Sequence, residues 1–409
     1  MSPLRHRLQQ ACLIVLVSAL PLTALAQLGN ADAIDAYLDQ QVRGTIIPGV
    51  VAVVVDADQT LYEDAFGLRD SANDAPMTTG TIFRIASMTK PVAATVIMML
   101  VYEGKLGLDD PVARYLPSFD GRPVIERFDS ATGNYTTRPA ASAVTIRQLL
   151  SHSSGLAYPF ASDIVTAIMA SSDAPDADEM PLLYDPGTAW SYAGGIGVVG
   201  SIVERIEGVG LDTLMRERLF EPLGMHETSF IVKETDLERV ATVHRLESNG
   251  QLVEARNPPD IRSAVSGDGG LHSTARDYAR FIQLFLNDGM TSDGQRLLSA
   301  EAIAEITENQ LGIHTVTLMD EPTPSLARAF PLGADRDGFG LGFQVTGQHS
   351  SRLARAPGSL SWAGIFNTEF WIDPARGVGG VLLMQYLPFY HPDAIETLQG
   401  FEALVYEGL

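Results

Sequence analysis

Ser87-Met88-Thr89-Lys90 sets a hydroxyl and an amine three residues apart at the head of an apolar segment. Positions i and i+3 share one face of a helix, so the two side chains can meet. Arg84-Ile85-Ala86 before the pair and Val92 to Leu100 after it predict a buried site. Burial disfavours an ammonium charge, and a neutral amine would accept the serine's proton and release a nucleophile. The N–H groups at the helix start would face developing negative charge. Pro91 falls in the first turn, where its missing donor costs little. Of the 28 basic residues only Lys90, Lys105 and Lys233 are lysines. Arginine keeps its proton, whereas a buried lysine can lose one. The plainer alternative is a solvated lysine near a helix start.

Other constellations carry less. His152, His226, His244, His272, His314, His349 and His391 are scattered, with no H-x-x-x-H or H-E-x-x-H spacing for a metal. They read as polar or packed loop residues, with His152 the exception whose loop is able to border the site. No G-x-S-x-G elbow occurs. Gly195-Ile196-Gly197-Val198-Val199-Gly200 matches G-x-G-x-x-G and opens a predicted helix, but Ser191-Tyr192-Ala193-Gly194 before it is no strand. Without that strand the string does not argue for a dinucleotide. Gly267-Asp268-Gly269-Gly270 matches no fingerprint, and Tyr158, Phe160, Tyr184 and Trp190 read as core, or as the lining of an acyl pocket. No metal or cofactor is called for.

The elements that must hold Ser87 and Lys90 follow from periodicity. Ala31 to Val42 has helical spacing of Ile34, Leu38 and Val42, and Gly49 to Val55 is a β-branched run followed by a second strand over Thr60 to Phe66. Ile82 to Tyr102 predicts a turn leading into a long apolar helix. Asp120 to Ala143 lacks apolar periodicity and reads as an excursion loop, and 157–181 as a further loop; substrate choice is expected to depend on both. Strands are expected at Phe339 to Val345, Glu369 to Asp373 and Val378 to Gln385, and a closing helix at Ala394 to Tyr406. Strands at both ends and helices between predict an α/β fold. Its sheet is built from both termini, with a mainly helical region inserted roughly over 85–330.

Composition bounds the function. The 409 residues are 45% hydrophobic and 19% charged, as in ordinary globular proteins. A net charge of -22 repels phosphate backbones and anionic membrane surfaces, so no nucleic-acid partner is expected. Arg5 and Arg7, the apolar run Ala11 to Leu20 and the small residues Ala24-x-Ala26 read as a secretory signal over 1–26, removed before Gln27. Export to the periplasm or exterior is then expected, with no membrane insertion after cleavage. Cys12 is the only cysteine and would leave with that segment. Residues 27–409 would form one cysteine-free body without disulfides. Oligomeric state is left open.

Taken in order, the motifs resemble the serine hydrolases related to class C β-lactamases, and most nearly the family VIII carboxylesterases. Thr81-Ile82-Phe83-Arg84-Ile85-Ala86-Ser87-Met88-Thr89-Lys90 is similar to their first motif, and Asp185-Pro186-Gly187-Thr188-Ala189-Trp190-Ser191-Tyr192-Ala193-Gly194 to the approach and body of the second. Trp362-Ala363-Gly364 resembles the third as it stands in the esterase branch. Leu149-Leu150-Ser151-His152-Ser153-Ser154-Gly155-Leu156 and Gly269-Gly270-Leu271-His272-Ser273-Thr274-Ala275 resemble accessory stretches.

The resemblance implies a β-lactamase/transpeptidase-like fold with an antiparallel sheet. It implies Ser87 as an acylated nucleophile with Lys90 and Tyr192 as its proton acceptors, a Tyr beside a cationic Lys being driven toward phenolate. It implies an oxyanion hole from the N–H groups of Ser87 and Ile365, and substrate contacts from Trp362, Ala363, Gly364, Gly194 and His152. Gly194 stands where β-lactamases commonly carry Asn, and Trp362 where they carry a cationic Lys. The missing charge argues against anionic substrates, since a buried carboxylate without a partner is costly. A small-molecule ester or amide substrate is expected, with carboxylic ester hydrolysis ranked first. The alternatives are a β-lactamase or D-amino-acid peptidase, and a non-catalytic binder of cell-wall peptides on the same scaffold.

Overall fold

The β-branched run from Gly49 to Val55 is buried along its whole length, on both faces. Val51, Val53 and Val55 enter one apolar core, while Val50, Ala52 and Val54 enter another. Successive strand residues point to opposite faces, so a strand covered on both sides reads as a continuous apolar run. This strand lies inside an eight-stranded sheet. The computed structural model describes residues 28–171, 174–176, 179–255, 264–349 and 354–409. The expected signal segment, its cleavage site and Cys12 lie outside them.

The sheet takes β1 (Gly49–Val55), β2 (Thr60–Asp70) and β3 (Ala75–Pro76) from one end of the chain. From the other it takes β4 (Gly338–Phe339), β5 (Gln344–Val345), β6 (Leu360–Gly364), β7 (Thr368–Asp373) and β8 (Val378–Leu383). The order is β4-β5-β6-β7-β8-β1-β2-β3, and every pairing is antiparallel. The chain ends therefore meet at the β1–β8 pair, in the register Val53↔Val381.

Helix α1 (Ala31–Gly44), α2 (Thr89–Tyr102), α3 (Gly195–Glu207), α4 (Ala275–Leu286) and α5 (Pro392–Gly408) complete the body. α1 and α5 cover one face, where Trp371 of β7 meets Phe401 with ring centres 5.6 Å apart. α4 covers the other face, and Gly379 gives it room: a Cβ there would sit 2.4 Å from Ile282. α2 is buried all round, from Thr89 to Leu100, as a helix apolar on every side must be.

Three expectations need correction. The stretch 157–181 holds a short helix, Asp163–Met169, whose start is capped by the Ser162 side chain accepting from the Val165 N–H. Asp120 to Ala143 contains an antiparallel hairpin, Pro123–Phe128 against Tyr135–Pro139, tied to the body by Arg138 on Asp185. Both its strands are largely wet, so neither carries an apolar alternation. Phe339 to Val345 is two very short strands, β4 and β5, folded against each other. Gly342 takes φ +90 between them, a conformation open to glycine.

Candidate active site

Ser87 stands on a 3-10 turn, Ala86–Met88, that leads directly into α2. Ala86 takes φ +44, a left-handed conformation costing roughly 1 kcal/mol or more for a residue with a Cβ. Long-range contacts hold the turn. The Tyr278 phenol donates to the Met88 carbonyl at 3.0 Å, and Thr89 Oγ1 accepts from the Leu271 N–H at 3.2 Å. The result is a half-buried Ser87 facing a pocket, with Lys90 fully buried at the start of the helix behind it.

Lys90 Nζ donates to the Asp268 carbonyl at 2.7 Å and to the Tyr158 phenol at 3.1 Å. It also lies 3.6 Å from Asp268 Oδ1 and 4.9 Å from the centre of the Tyr192 ring. Burial alone would lower its pKa, but the fields of Tyr158, Tyr192 and Asp268 outweigh burial and raise it. The expected neutral amine is therefore corrected: at rest Lys90 is a cation. Burial raises the Tyr158 phenol as well, although Lys90 pulls it down, so that phenol rests neutral.

Tyr192 is held by rings. His152, Tyr158 and Trp362 lie 5.0, 5.0 and 5.1 Å from it. Its hydroxyl is buried without a hydrogen-bond partner among the described residues. The Tyr158 N–H donates to the Tyr192 carbonyl at 2.9 Å, so the two phenols arrive on segments bonded to each other.

Asp268 explains the nearby glycines. A Cβ on Gly194 would sit 2.9 Å from its Oδ2, and one on Gly197 would sit 2.2 Å away. Gly195 packs against the Leu149 carbonyl, where a Cβ would come within 2.5 Å. The G-x-G-x-x-G string thus serves close packing of α3, and irregular chain precedes it. A side chain at 194 would press on Asp268, whose carboxylate would have to shift to admit it.

A narrow pocket with a free volume of about 30 Å³, partly open to solvent, lies beside Ser87. It brings together Ser87, Tyr192, Trp362, Ala363 and Ile365, with Phe160 and Phe330 on its apolar wall. Gly194 borders an adjoining pocket with Tyr158. His152 is 1% exposed and packs behind Tyr192 and Trp362 instead of lining the wall. Burial, then the charge of Lys90, holds it well below the usual imidazole range, so it is a neutral ring. Both its nitrogens lack partners among the described residues.

Gly364 is where β6 meets the Ser87 turn. A Cβ there would lie 2.3 Å from the Ile85 carbonyl oxygen and 2.2 Å from Thr368 Oγ1. Gly364→Ala is expected to cost about 1–3 kcal/mol by overpacking, and to cut turnover by pushing β6 off the turn. Thermal melting and ester assay of the variant check this, and unchanged values of both would refute the close approach.

Two partners of Lys90 were not legible as such: Asp268, and Tyr158, which sequence offered only as core or pocket lining. The only signals were Tyr158 following the Ser151-to-Leu156 stretch and Asp268 lying among three glycines. What the assembly offers is the Ser87 hydroxyl and the Tyr192 ring on one apolar pocket, a buried cation 4.9 Å from that ring and a second phenol bonded to the cation, with the end of β6 on the same pocket. That combination suits transfer of an acyl group to an oxygen nucleophile and on to a second acceptor.

A family profile described as Beta-lactamase matches residues 34–404. Protein Rv1367c of Mycobacterium tuberculosis is 35% identical over 391 residues, covering 92% of this chain and 95% of that protein. Esterase EstB of Burkholderia gladioli is 30% identical over 377 residues, covering 86% of this chain and 90% of that one. Among solved structures, simvastatin synthase from Aspergillus terreus (a mutant form) superposes with a TM-score of 0.77 at 27% identity, covering 92% of this chain and 96% of that one.

Proposed function

Since this chain belongs to the Beta-lactamase family, whose members are serine hydrolases or acyltransferases, we propose that it is a carboxylesterase working through an acyl-enzyme at Ser87. The observation that carries this reading is the convergence of Ser87, Tyr192 and Trp362 on one pocket above Lys90. The apolar wall suits a small acyl ester, and no cation stands at 362 to hold a β-lactam carboxylate. Similarity to an esterase, EstB, supports the same choice.

Ser87 Oγ bonds to the ester carbonyl carbon while its proton passes to the Lys90–Tyr158–Tyr192 group. The oxyanion meets the N–H groups of Ser87 and Ile365. The same group returns the proton to the leaving alkoxide, which departs as an alcohol. Water, or a second alcohol, then attacks the acyl-serine by the reverse path.

The proton-accepting form is the one in which that group has lost one proton. Lys90 and Tyr158 both hold their protons more tightly than usual, so this form grows as pH rises. Turnover is therefore expected to climb with pH and to be still climbing at about pH 9. A pH–rate profile flat from about pH 6 upward would refute this proton inventory.

The deciding experiment sets p-nitrophenyl esters of graded chain length beside nitrocefin, with fluorophosphonate labelling of Ser87 read by mass spectrometry. Ester turnover well above nitrocefin turnover is the expected result. Comparable nitrocefin turnover would favour a β-lactamase, and no labelling with no turnover would favour a binding protein. Export is part of the proposal and rests on residues 1–26. Sequencing the N-terminus of the protein expressed in a bacterial host should find Gln27.

A further inference from the structure

The pocket continues past its apolar wall to a polar end made by Gln344, Arg355, Ser361 and Glu369, closed by Leu398 of α5. The β6–β7 register sets Glu369 opposite Ala363, so the two share a sheet face, and both line the pocket. None of these polar groups belongs to the Ser87–Lys90–tyrosine set.

Arg355 is pinned by Glu402 of α5, through Nη2 at 2.8 Å and Nε at 3.2 Å. Its remaining Nη1 is buried with no hydrogen-bond partner among the described residues. The Trp362 indole N–H, on the wall of the same pocket, is likewise buried and unpartnered. A buried donor left unmade costs about 1–3 kcal/mol, and such groups in a native fold call for an explanation. Glu369 is 6% exposed. Burial pushes its carboxyl well above the usual range although Arg355 opposes this, which favours the protonated acid, a hydrogen-bond donor.

The charges around this end restrict its occupant. Glu402 already balances Arg355, and Asp337 and Asp373 stand in the same neighbourhood, taking hydrogen bonds from Gln344 at 2.7 Å and Ala356 at 2.9 Å. A further carboxylate would be buried without a counter-charge. A neutral oxygen would accept from the free donors without that cost.

We propose that Arg355 Nη1 and the Glu369 carboxyl form a specificity subsite for a neutral oxygen, ketone or hydroxyl, on the ester arm seated in this pocket. The subsite rests on the acyl-enzyme reading and names the substrate class within it: oxygenated in place of plain alkyl esters.

Matched esters test it on both arms. Ethyl 4-oxopentanoate is compared with ethyl pentanoate, and 3-oxobutyl acetate with butyl acetate, by pH-stat titration. On one of the two arms the oxo ester should be favoured at least about tenfold in kcat/KM. Glu369→Met should cut that ratio at least about fivefold, and Glu369→Gln, which still offers a donor, should keep most of it. Ratios near or below one on both arms of the wild type, with all four esters turned over, would overturn the subsite and leave the esterase reading standing. No turnover of any ester and no Ser87 labelling would bring down that reading, and the subsite with it.

Discussion

Ser87→Ala should lower ester turnover by at least about 10⁴-fold and abolish fluorophosphonate labelling, with the melting temperature nearly unchanged. The rate falls because covalent catalysis has no substitute once the attacking oxygen is gone. What remains is whatever binding and the oxyanion donors supply. The fold survives because the Ser87 hydroxyl holds none of it together. The turn is pinned by the Tyr278 bond to the Met88 carbonyl and by Thr89 on Leu271, and alanine already occupies the strained position at 86. Truncating a half-buried hydroxyl with no structural bond changes stability by about 0.5 kcal/mol or less. Rates, intact mass after labelling and a thermal melt are the three measurements. A variant that melts like wild type yet keeps a tenth of its rate would remove Ser87 from the chemistry.

The parts of this site that could be read from sequence are those set by local spacing. Ser87 and Lys90 are three residues apart, and the apolar residues after them announce a buried helix. The strand Gly49–Val55 was legible for the same reason, since its β-branched run states that both faces are covered. Tyr158 and Asp268 reach Lys90 across 68 and 178 residues of chain, and no spacing rule spans that distance. The inverted expectation for Lys90 has the same origin. Its desolvation was visible in the neighbouring apolar residues, whereas the phenols and the carboxylate that outweigh desolvation arrive from remote segments. The hairpin over 123–139 escaped because strands wet on both faces leave no alternation to find. The polar end of the pocket was hidden because Arg355, Glu369 and Glu402 become neighbours only when α5 closes on the sheet.

Lys90→Arg is expected to lose about 10³-fold in turnover, nearly as much as Lys90→Ala, although charge is conserved. If Lys90 served only as a fixed cation, arginine would be the mild change. Two features of the site say otherwise. The residue is fully buried, and Nζ has contacts at 2.7 Å to the Asp268 carbonyl and 3.1 Å to Tyr158. A planar guanidinium is wider than an ammonium, and here it would have to displace Asp268, which already crowds Gly194 and Gly197. Arginine also keeps its proton at any working pH, so a group containing it can lose a proton only from a phenol. Burial opposes that loss at Tyr158. The pH profile separates the two causes. If steric displacement alone were at fault, the residual activity of Lys90→Arg would keep the wild-type rise with pH. If Lys90 takes part in the proton inventory, the rise should move to higher pH or vanish. High activity in Lys90→Arg with the wild-type profile would mean that the amine is a positioning charge. The proton of Ser87 would then have to leave through the tyrosines alone.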